Sequence, residues 1–300
     1  MRLSNTTTNT TYSHPGLDGI VKLYQSDAKL FYPSYCRQKS TTNDRDKIGT
    51  EGTFPVLTHV GEGDSHPVID FRNPFTMEIT PLKYGGIFSV SSEAMEAEKW
   101  GMIGRKTTKL LQAEDKTKEY LLADIHNLAT NAAFATPDGV AAASASHLYN
   151  GGTYSNIVTG TPVLSQVALE LAINELMYAQ KDDEGDPWGF SGPYNLLVHP
   201  VQAGLANRLV KAMKLPTTNN NDPNWAGEFI ANVIPVPFFT STTAWSLLST
   251  GRKNPYILLN RRGVQVKMDD DFSKDGSLVR VNSIFTRYME DPRGWIYSGS

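Results

Sequence analysis

The sequence predicts an α+β fold: one long helix packed on a sheet, with a compact α/β unit inserted between the two in the chain. Three observations predict it. Arg105–Phe134 holds neither proline nor glycine and repeats its apolar residues at helical spacing. Near the other end, Val264, Val266 and Met268 alternate with Gln265 and Lys267, and Val279, Val281, Ser283 and Phe285 share one face of a second run. Between these segments the pattern reads helix, strand, helix, strand, strand, which suits a compact α+β or α/β layer.

The helix carries Leu110, Thr117, Leu121, Ile125, Leu128 and Ala132 on one stripe, with Glu114, Lys118, Asp124 and Asn131 on other faces. At 1.5 Å per residue it spans roughly 45 Å. Glu114 is four residues before Lys118, which pairs them along the solvent side, and His126 reads as a solvated residue. No second helix of similar length follows, and a heptad counted from Leu110 breaks at Glu114, Asp124 and Asn131. The helix is therefore a beam across a non-spherical subunit rather than part of a coiled coil.

Composition narrows the class. An apolar content of 40% supports a core, and 10% aromatic residues argue against wholesale disorder. The 28 Lys+Arg against 31 Asp+Glu leave a charge of −3, without the concentrated basic stripe of a phosphate-gripping protein. A single cysteine, Cys36, excludes an intrachain disulfide and a cysteine-rich zinc site. No apolar run approaches membrane-span length and no signal-peptide core opens the chain, so folding in a reducing cytoplasm is expected and the Asn5 and Asn9 sequons carry no weight.

Taken in order, residues 1–16 are polar and threonine-rich, and need a neighbouring chain to be ordered. Residues 17–36 form a weakly amphipathic stretch, a short helix ended by Pro33, with no core of its own. Phe54–Val60 reads as a strand, Gly61–His66 as a turn, and Phe75, Met77 and Ile79 alternate along a second strand. This hairpin has too little apolar surface to stand alone. It either packs on its own domain or projects as an arm stabilised by another subunit. Pro81–Val90 is a glycine-hinged segment entering a β run, and Ser91 or Ser92 caps a short helix through Trp100. Gly101 and Gly104 separate or bend that helix from the long one. After Phe134 comes a Gly/Ser/Ala-rich loop region.

A second helix, with Leu169, Ala172, Ile173 and Leu176 on one face, spans 165–180 and stops at the Lys181–Pro187 turn. Tyr194–Val198 is a buried strand, and Pro200 opens a helix bearing Val201, Leu205 and Leu209. Beyond the Thr217–Asn224 loop, Ile230–Val236 and Ala244–Leu248 are strands. Tyr256–Leu259 is a buried run, and an Asp269–Gly276 loop joins the last two long strands, the natural sheet for the long helix.

The chemistry-bearing residues are scattered. The chain lacks a Gly-x-Ser-x-Gly elbow, a phosphate-binding loop, a dinucleotide fingerprint and a His-Glu-x-x-His motif. Its six histidines (His14, His59, His66, His126, His147, His199) have no metal-ligand spacing. Asp182, Glu184 and Asp186 alternate like calcium ligands, but Gly185 and Pro187 break the pattern, leaving a solvated turn. Asp269-Asp270-Asp271 is a charged loop that could hold a cation between subunits, Arg261-Arg262 edges a strand, and Cys36 is inert. Neither catalysis nor a cofactor nor a metal is expected.

The acidic, glycine-bearing hairpin, PLKYGGIFSVSSEAM (Pro81–Met95), YNLLVHPVQAGLANRLV (Tyr194–Val210) and VRVNSIFTRYMEDPRGWIYSG (Val279–Gly299) together resemble the major capsid protein of tailed bacteriophages, the Hong Kong 97 fold, nearest to its Mu-like head-subunit branch. The resemblance covers nearly the whole chain by order of elements, although each motif is only moderately specific. It implies an N-terminal arm at 1–42, an extended β-hairpin loop at 43–86 and a peripheral domain at 87–161 with its spine helix at about 105–134. An axial domain at 162–255 would follow, then peripheral-domain strands at 256–300 that return toward it.

It further implies a virion shell protein, assembled in the host cytoplasm as pentamers and hexamers of an icosahedral capsid around double-stranded DNA. Its partners would be its own copies, a portal, a decoration protein and non-specifically contacted DNA, without a membrane. The short arm leaves no room for a cleaved scaffolding segment, so scaffolding is a separate protein or the sequence is already mature. The loop residues expected to touch neighbouring subunits are Phe54, Val56, His59, Gly61, Glu62, Asp64, His66, Phe75, Met77 and Ile79. Lys83 is not assigned to the covalent cross-link that some members form. Rival readings are the shell of a bacterial encapsulating nanocompartment, a small soluble α/β enzyme centred on 162–255, and a Tyr/Trp-rich carbohydrate- or tail-binding module.

Overall fold

The structure, a computed structural model, describes residues 30–50, 52–69, 75–93, 100–189, 192–212, 223–271 and 276–299. The polar tail, most of the stretch before Pro33 and most of the short helix expected after Ser91 lie outside them.

The described chain begins with a four-residue helix, α1 (Tyr32–Tyr35), and a strand, β1 (Arg37–Ser40). Pro33 stands in the first turn of α1 instead of ending a helix, since proline's missing N–H costs nothing there. Tyr32, Tyr35 and Cys36 are buried in the main core, and β1 runs parallel to a later strand with Arg37 opposite Ile257. This part of the arm therefore has no core within its own length and packs on the main core of its own subunit.

Two short strands, β2 (Asp46–Gly49) and β3 (Thr76–Ile79), pair antiparallel and are followed by β4 (Leu82–Ser91). The glycines of β4 do not hinge it. A Cβ on Gly85 would lie 2.8 Å from the Val281 carbonyl oxygen, and one on Gly86 would lie 3.1 Å from Leu110. They let strand and helix approach closely.

The spine helix, α2, runs Trp100–Asn127 and includes Gly101 and Gly104, so neither glycine interrupts it. It stops seven residues short of Phe134. Asn127 turns its side chain outward to the 238–240 loop, donating to the Phe238 carbonyl (3.0 Å) and accepting from the Thr240 amide (2.9 Å), while Asn131 accepts from the Ala133 amide. The buried face is also rotated from the expected stripe. Thr107, Leu111, Glu114, Leu122, Ile125 and Ala129 are buried, with Glu119, Ala123 and His126 beside them, whereas Leu128 is exposed. The Glu114–Lys118 pair (2.8 Å) lies on this inner side, with the Lys118 ammonium 5.4 Å from the Phe285 ring centre, not along the solvent. Five polar side chains on the inner face (Thr107, Glu114, Lys118, Glu119 and His126) are why the apolar stripe looked narrow.

After a small hairpin, β5 (His147–Tyr149) and β6 (Gly152–Tyr154), the α/β unit starts with α3 (Gln166–Asn174), whose N-cap Ser165 accepts from the Ala168 amide. A wider turn (Glu175–Ala179) extends α3, and the fully buried β7 (Tyr194–Val198) follows. Helices α4 (Ala203–Lys211) and α5 (Trp225–Phe229) lead to β8 (Ile230–Pro235) and β9 (Trp245–Ser249). The long strands β10 (Tyr256–Asp271) and β11 (Gly276–Met289) and the short β12 (Trp295–Ser298) complete the chain. Asp269–Asp271 belong to β10, so the expected acidic loop is strand up to residue 271.

Two four-stranded sheets result, ordered β1-β10-β11-β4 and β12-β9-β7-β8. The first carries α2 on the face lined by Val279, Val281 and Phe285. The second completes the inserted unit with a strand, β12, that comes after the long pair. One core runs through both, gathering Leu122 and Ile125 of α2, Leu197 and Leu248 of the inserted sheet, Phe285 of β11 and Trp295 of β12.

Polar clamps hold the junction. Gln180 donates to the Trp295 carbonyl (2.8 Å) and accepts from the Gly294 amide (2.7 Å). Buried Arg293 pairs with Asp291 (2.5 Å) and Asp183 (3.5 Å) and covers the Trp188 ring. Buried Asp138 and His147 lie 2.8 Å apart, with the other His147 nitrogen 3.1 Å from the Ala142 carbonyl.

Candidate assembly surface

The loop between β2 and β3 is anchored at its base and bare beyond it. Ile48, Met77 and Ile79 pack on Ile257, Leu259 and Tyr288, and the Thr50 amide donates to the Phe75 carbonyl (3.1 Å). Thr41 and Asn43 hydrogen-bond Asp46 at this base and hold its exposed carboxyl below the usual range.

Above the base the expected strand Phe54–Val60 is not formed: residues 52–60 have no ladder partner among the described residues. Pro55 and Pro67 cannot donate to a ladder, and among the described residues no third strand pairs their neighbours. The loop's apolar side chains remain in solvent, with Phe54 57%, Val56 78%, Leu57 77% and Val68 100% exposed. The turn is where the sequence put it. Gly61 accepts from the Asp64 amide (3.2 Å), and Gly63 takes a φ of +87° that favours glycine. The two limbs, through Pro55, Val56, Thr58, Pro67, Val68 and Ile69, border a cavity of about 420 Å³ together with Glu184 of the inserted unit.

The ten loop residues singled out by sequence divide accordingly. Phe54, Val56, His59, Glu62, Asp64 and His66 are exposed, and Gly61 is half-buried at the turn. Phe75 and Met77 are half-buried and Ile79 is buried. Ile79 and Met77 pack in the subunit's own core, because β3 lies at the base of the loop and not along its free length. Leu57 and Val68 were missed. The signal was present, because Val56-Leu57 puts apolar residues on both faces of an extended segment, which a hairpin with one covered face would not do.

A second bare region lies on the sheet face opposite α2. Lys267, Arg280 and Ile87 stand in register across β10, β11 and β4, with exposed Lys83 further along the same face of β4. Like charges directly opposite each other are unfavourable in an isolated sheet. Elsewhere the inserted unit exposes Val163, Val167, Tyr178, Val201 and Trp225.

The titratable groups form no catalytic constellation among the described residues. His126 is not solvated: it is buried, stacked on Phe239 and edge-on to Tyr297, and burial drives its pKa down to about 3. Burial raises the Cys36 thiol to about 12, consistent with an inert side chain. Asp182 accepts from the Glu184 and Asp186 amides and so closes its own turn. No group of three or more potential metal ligands occurs among the described residues, and none of their helices is long and apolar enough to cross a membrane.

A spine helix on a four-stranded sheet, an inserted α/β unit and a bare loop between β2 and β3 define a shell-forming structural protein. The phage capsid protein family matches residues 74–298, three quarters of the chain, and the chain belongs to that family. It is a major capsid protein of the virion shell, with the Hong Kong 97 fold.

Solved structures agree on the fold. The capsid of cyanophage P-SCSP1u is similar at a TM-score of 0.57 and 8% identity, covering 92% of this chain and 89% of that one. The capsid of bacteriophage JBD30 gives 0.53 and 10%, covering 96% and 74%. A virus-like particle from Pyrococcus furiosus gives 0.50 and 12%, covering 94% and 95%. No curated protein matches the sequence.

Proposed function

We propose that copies of this chain assemble as hexamers and pentamers of an icosahedral head around double-stranded DNA, each laying its 52–69 loop on a neighbour. The observation that carries this is the loop itself: four large apolar side chains held in solvent on a base that is firmly packed. Monomers rarely leave so much apolar surface together without a partner. The bare sheet face around Ile87, Arg280 and Lys83 offers complementary chemistry, an exposed Ile87 for the limbs and cations for Glu62 and Asp64. The contact set is then Phe54, Val56, Leu57, His59, Gly61, Glu62, Asp64, His66 and Val68.

The same reading assigns the arm to 1–42, the loop to 43–86, the peripheral domain to 87–161 and 256–300, and the axial domain to 162–255. Assembly takes place in the host cytoplasm, with scaffolding, portal and decoration as separate proteins and without catalytic turnover. The Mu-like placement rests on the Pro81–Met95 and Tyr194–Val210 segments alone.

Replacing Gly61–Pro67 by a short Gly-Ser closure tests the loop. Far-UV circular dichroism should stay nearly unchanged while electron micrographs lose closed shells. Unfolding, or shells at normal yield, would remove the loop's assigned role. A nanocompartment is the second reading, favoured by the Pyrococcus particle's likeness. Particles isolated from cells that express the chain would then hold protein cargo in place of double-stranded DNA.

A further inference from the structure

One carboxylate of the spine helix is buried without a cation among the described residues. Glu119 accepts from the Phe31 amide (2.5 Å) and, through both oxygens, from the Tyr32 amide (3.2 Å each), at the start of α1. It is nearly inaccessible, and no ion pair reaches it among the described residues. The nearby cations are committed elsewhere: Lys118 to Glu114 (2.8 Å), and Arg287 of β11 to Asp124 (3.4 Å) one turn further on. What faces Glu119 instead is Asp115 on its own helix and Tyr32, Tyr35 and Cys36 from the arm, with Tyr256 of β10 behind Tyr35.

We propose that Glu119 is a proton-dependent latch that seats the 31–36 turn of the arm on the spine helix. With α1 seated, the carboxyl has two backbone donors, a like charge beside it and no water. With α1 lifted, it returns to solvent. Burial raises its pKa in the seated state, Asp115 adds to the rise, and the two amide bonds only partly offset it. The seated state therefore holds the proton more tightly than the lifted one. Seating is strongest below the ordinary glutamate value of about 4.3 and weakens as pH rises through the seated-state value. The latch acts within one subunit and does not depend on how the loop is used between subunits. It makes the lie of the arm, and of β1 behind it, responsive to acidity.

Cys36, the only cysteine, lies buried directly after α1 and reports the seat. Its reaction with 4,4′-dithiodipyridine is measured in the full-length chain and, at each pH, in the same chain unfolded in urea. The ratio gives a protection factor free of thiol ionisation. Protection should fall with rising pH, by about tenfold for each pH unit separating the seated and lifted carboxyl pKa values. Glu119→Gln keeps the acceptor without the charge and should give high, pH-independent protection. Asp115→Asn should move the fall to lower pH. Flat protection in the native chain, or an unchanged fall in Glu119→Gln, overturns the latch. Should Glu119→Gln not fold, the native chain and Asp115→Asn decide, since a fall that Asp115→Asn leaves in place also overturns it.

Discussion

His126, on the last turn of the spine helix, stacks on Phe239 of the inserted unit with ring centres 3.9 Å apart and planes 9° from parallel. An imidazolium would be held there without solvent. The folded pKa of about 3 lies below the unfolded value of about 6.5. The stability that neutral His126 permits is full above the unfolded value and is lost as pH falls from there toward 3. The slope approaches 1.4 kcal/mol per pH unit. His126→Phe should remove that slope from unfolding free energies measured in urea between pH 6 and 4, and an unchanged slope would move the acid sensitivity to other groups.

The rotated helix stripe predicts which leucines matter. Leu122→Ala empties a fully buried site and should cost about 2–5 kcal/mol. Leu128→Ala touches an exposed side chain and should change stability by less than about 0.5 kcal/mol. Chemical denaturation of the two variants separates the observed stripe from the one expected by sequence.

Loop base and loop limb should part company. Ile79→Ala removes a buried contact to Ile257, Leu259 and Tyr288 and should lower the unfolding midpoint. Leu57→Ser and Val68→Ser should leave the midpoint in place and reduce the yield of shells. Sedimentation of assembled against unassembled protein, beside thermal melts, reads both.

Arg293→Met should be severe. It leaves Asp291 and Asp183 facing each other around Trp188 without their cation, and breaking such a buried set costs about 3–5 kcal/mol. The loss should be partly recovered by adding Asp183→Asn, and a double-mutant cycle in urea measures how much.

Strand and helix identities in the inserted unit were legible because their signals are local: Tyr194–Val198 is apolar but for Asn195, Pro200 marks a helix entry and Ser165 a cap. The long β10–β11 pair was legible from its alternation. What the sequence obscured was set by distant partners. Glu114, Glu119 and His126 look solvated one residue at a time, and only Lys118, the arm's amides and Phe239 make their burial tolerable. Phe54–Val60 has strand-like residues, but a strand needs a ladder, and Pro55 and the absence of a neighbour among the described residues deny it one. The exposed set therefore had to be found from the structure, although the doubled apolar pair at Val56-Leu57 hinted at it.

The order β12-β9-β7-β8 has a consequence for synthesis. A ribosome that has made residues 1–255 has produced the spine helix without β10 and β11 beneath it, and the inserted sheet without its edge strand. Even Arg37, at the start of β1, waits for Ile257 to pair with. Contacts so far apart in sequence close slowly, and neither unit can be complete until Trp295 has left the exit tunnel. Nascent chains crowded along one messenger are thus still unfinished subunits, with no completed surface through which a shell could begin to grow on the polysome.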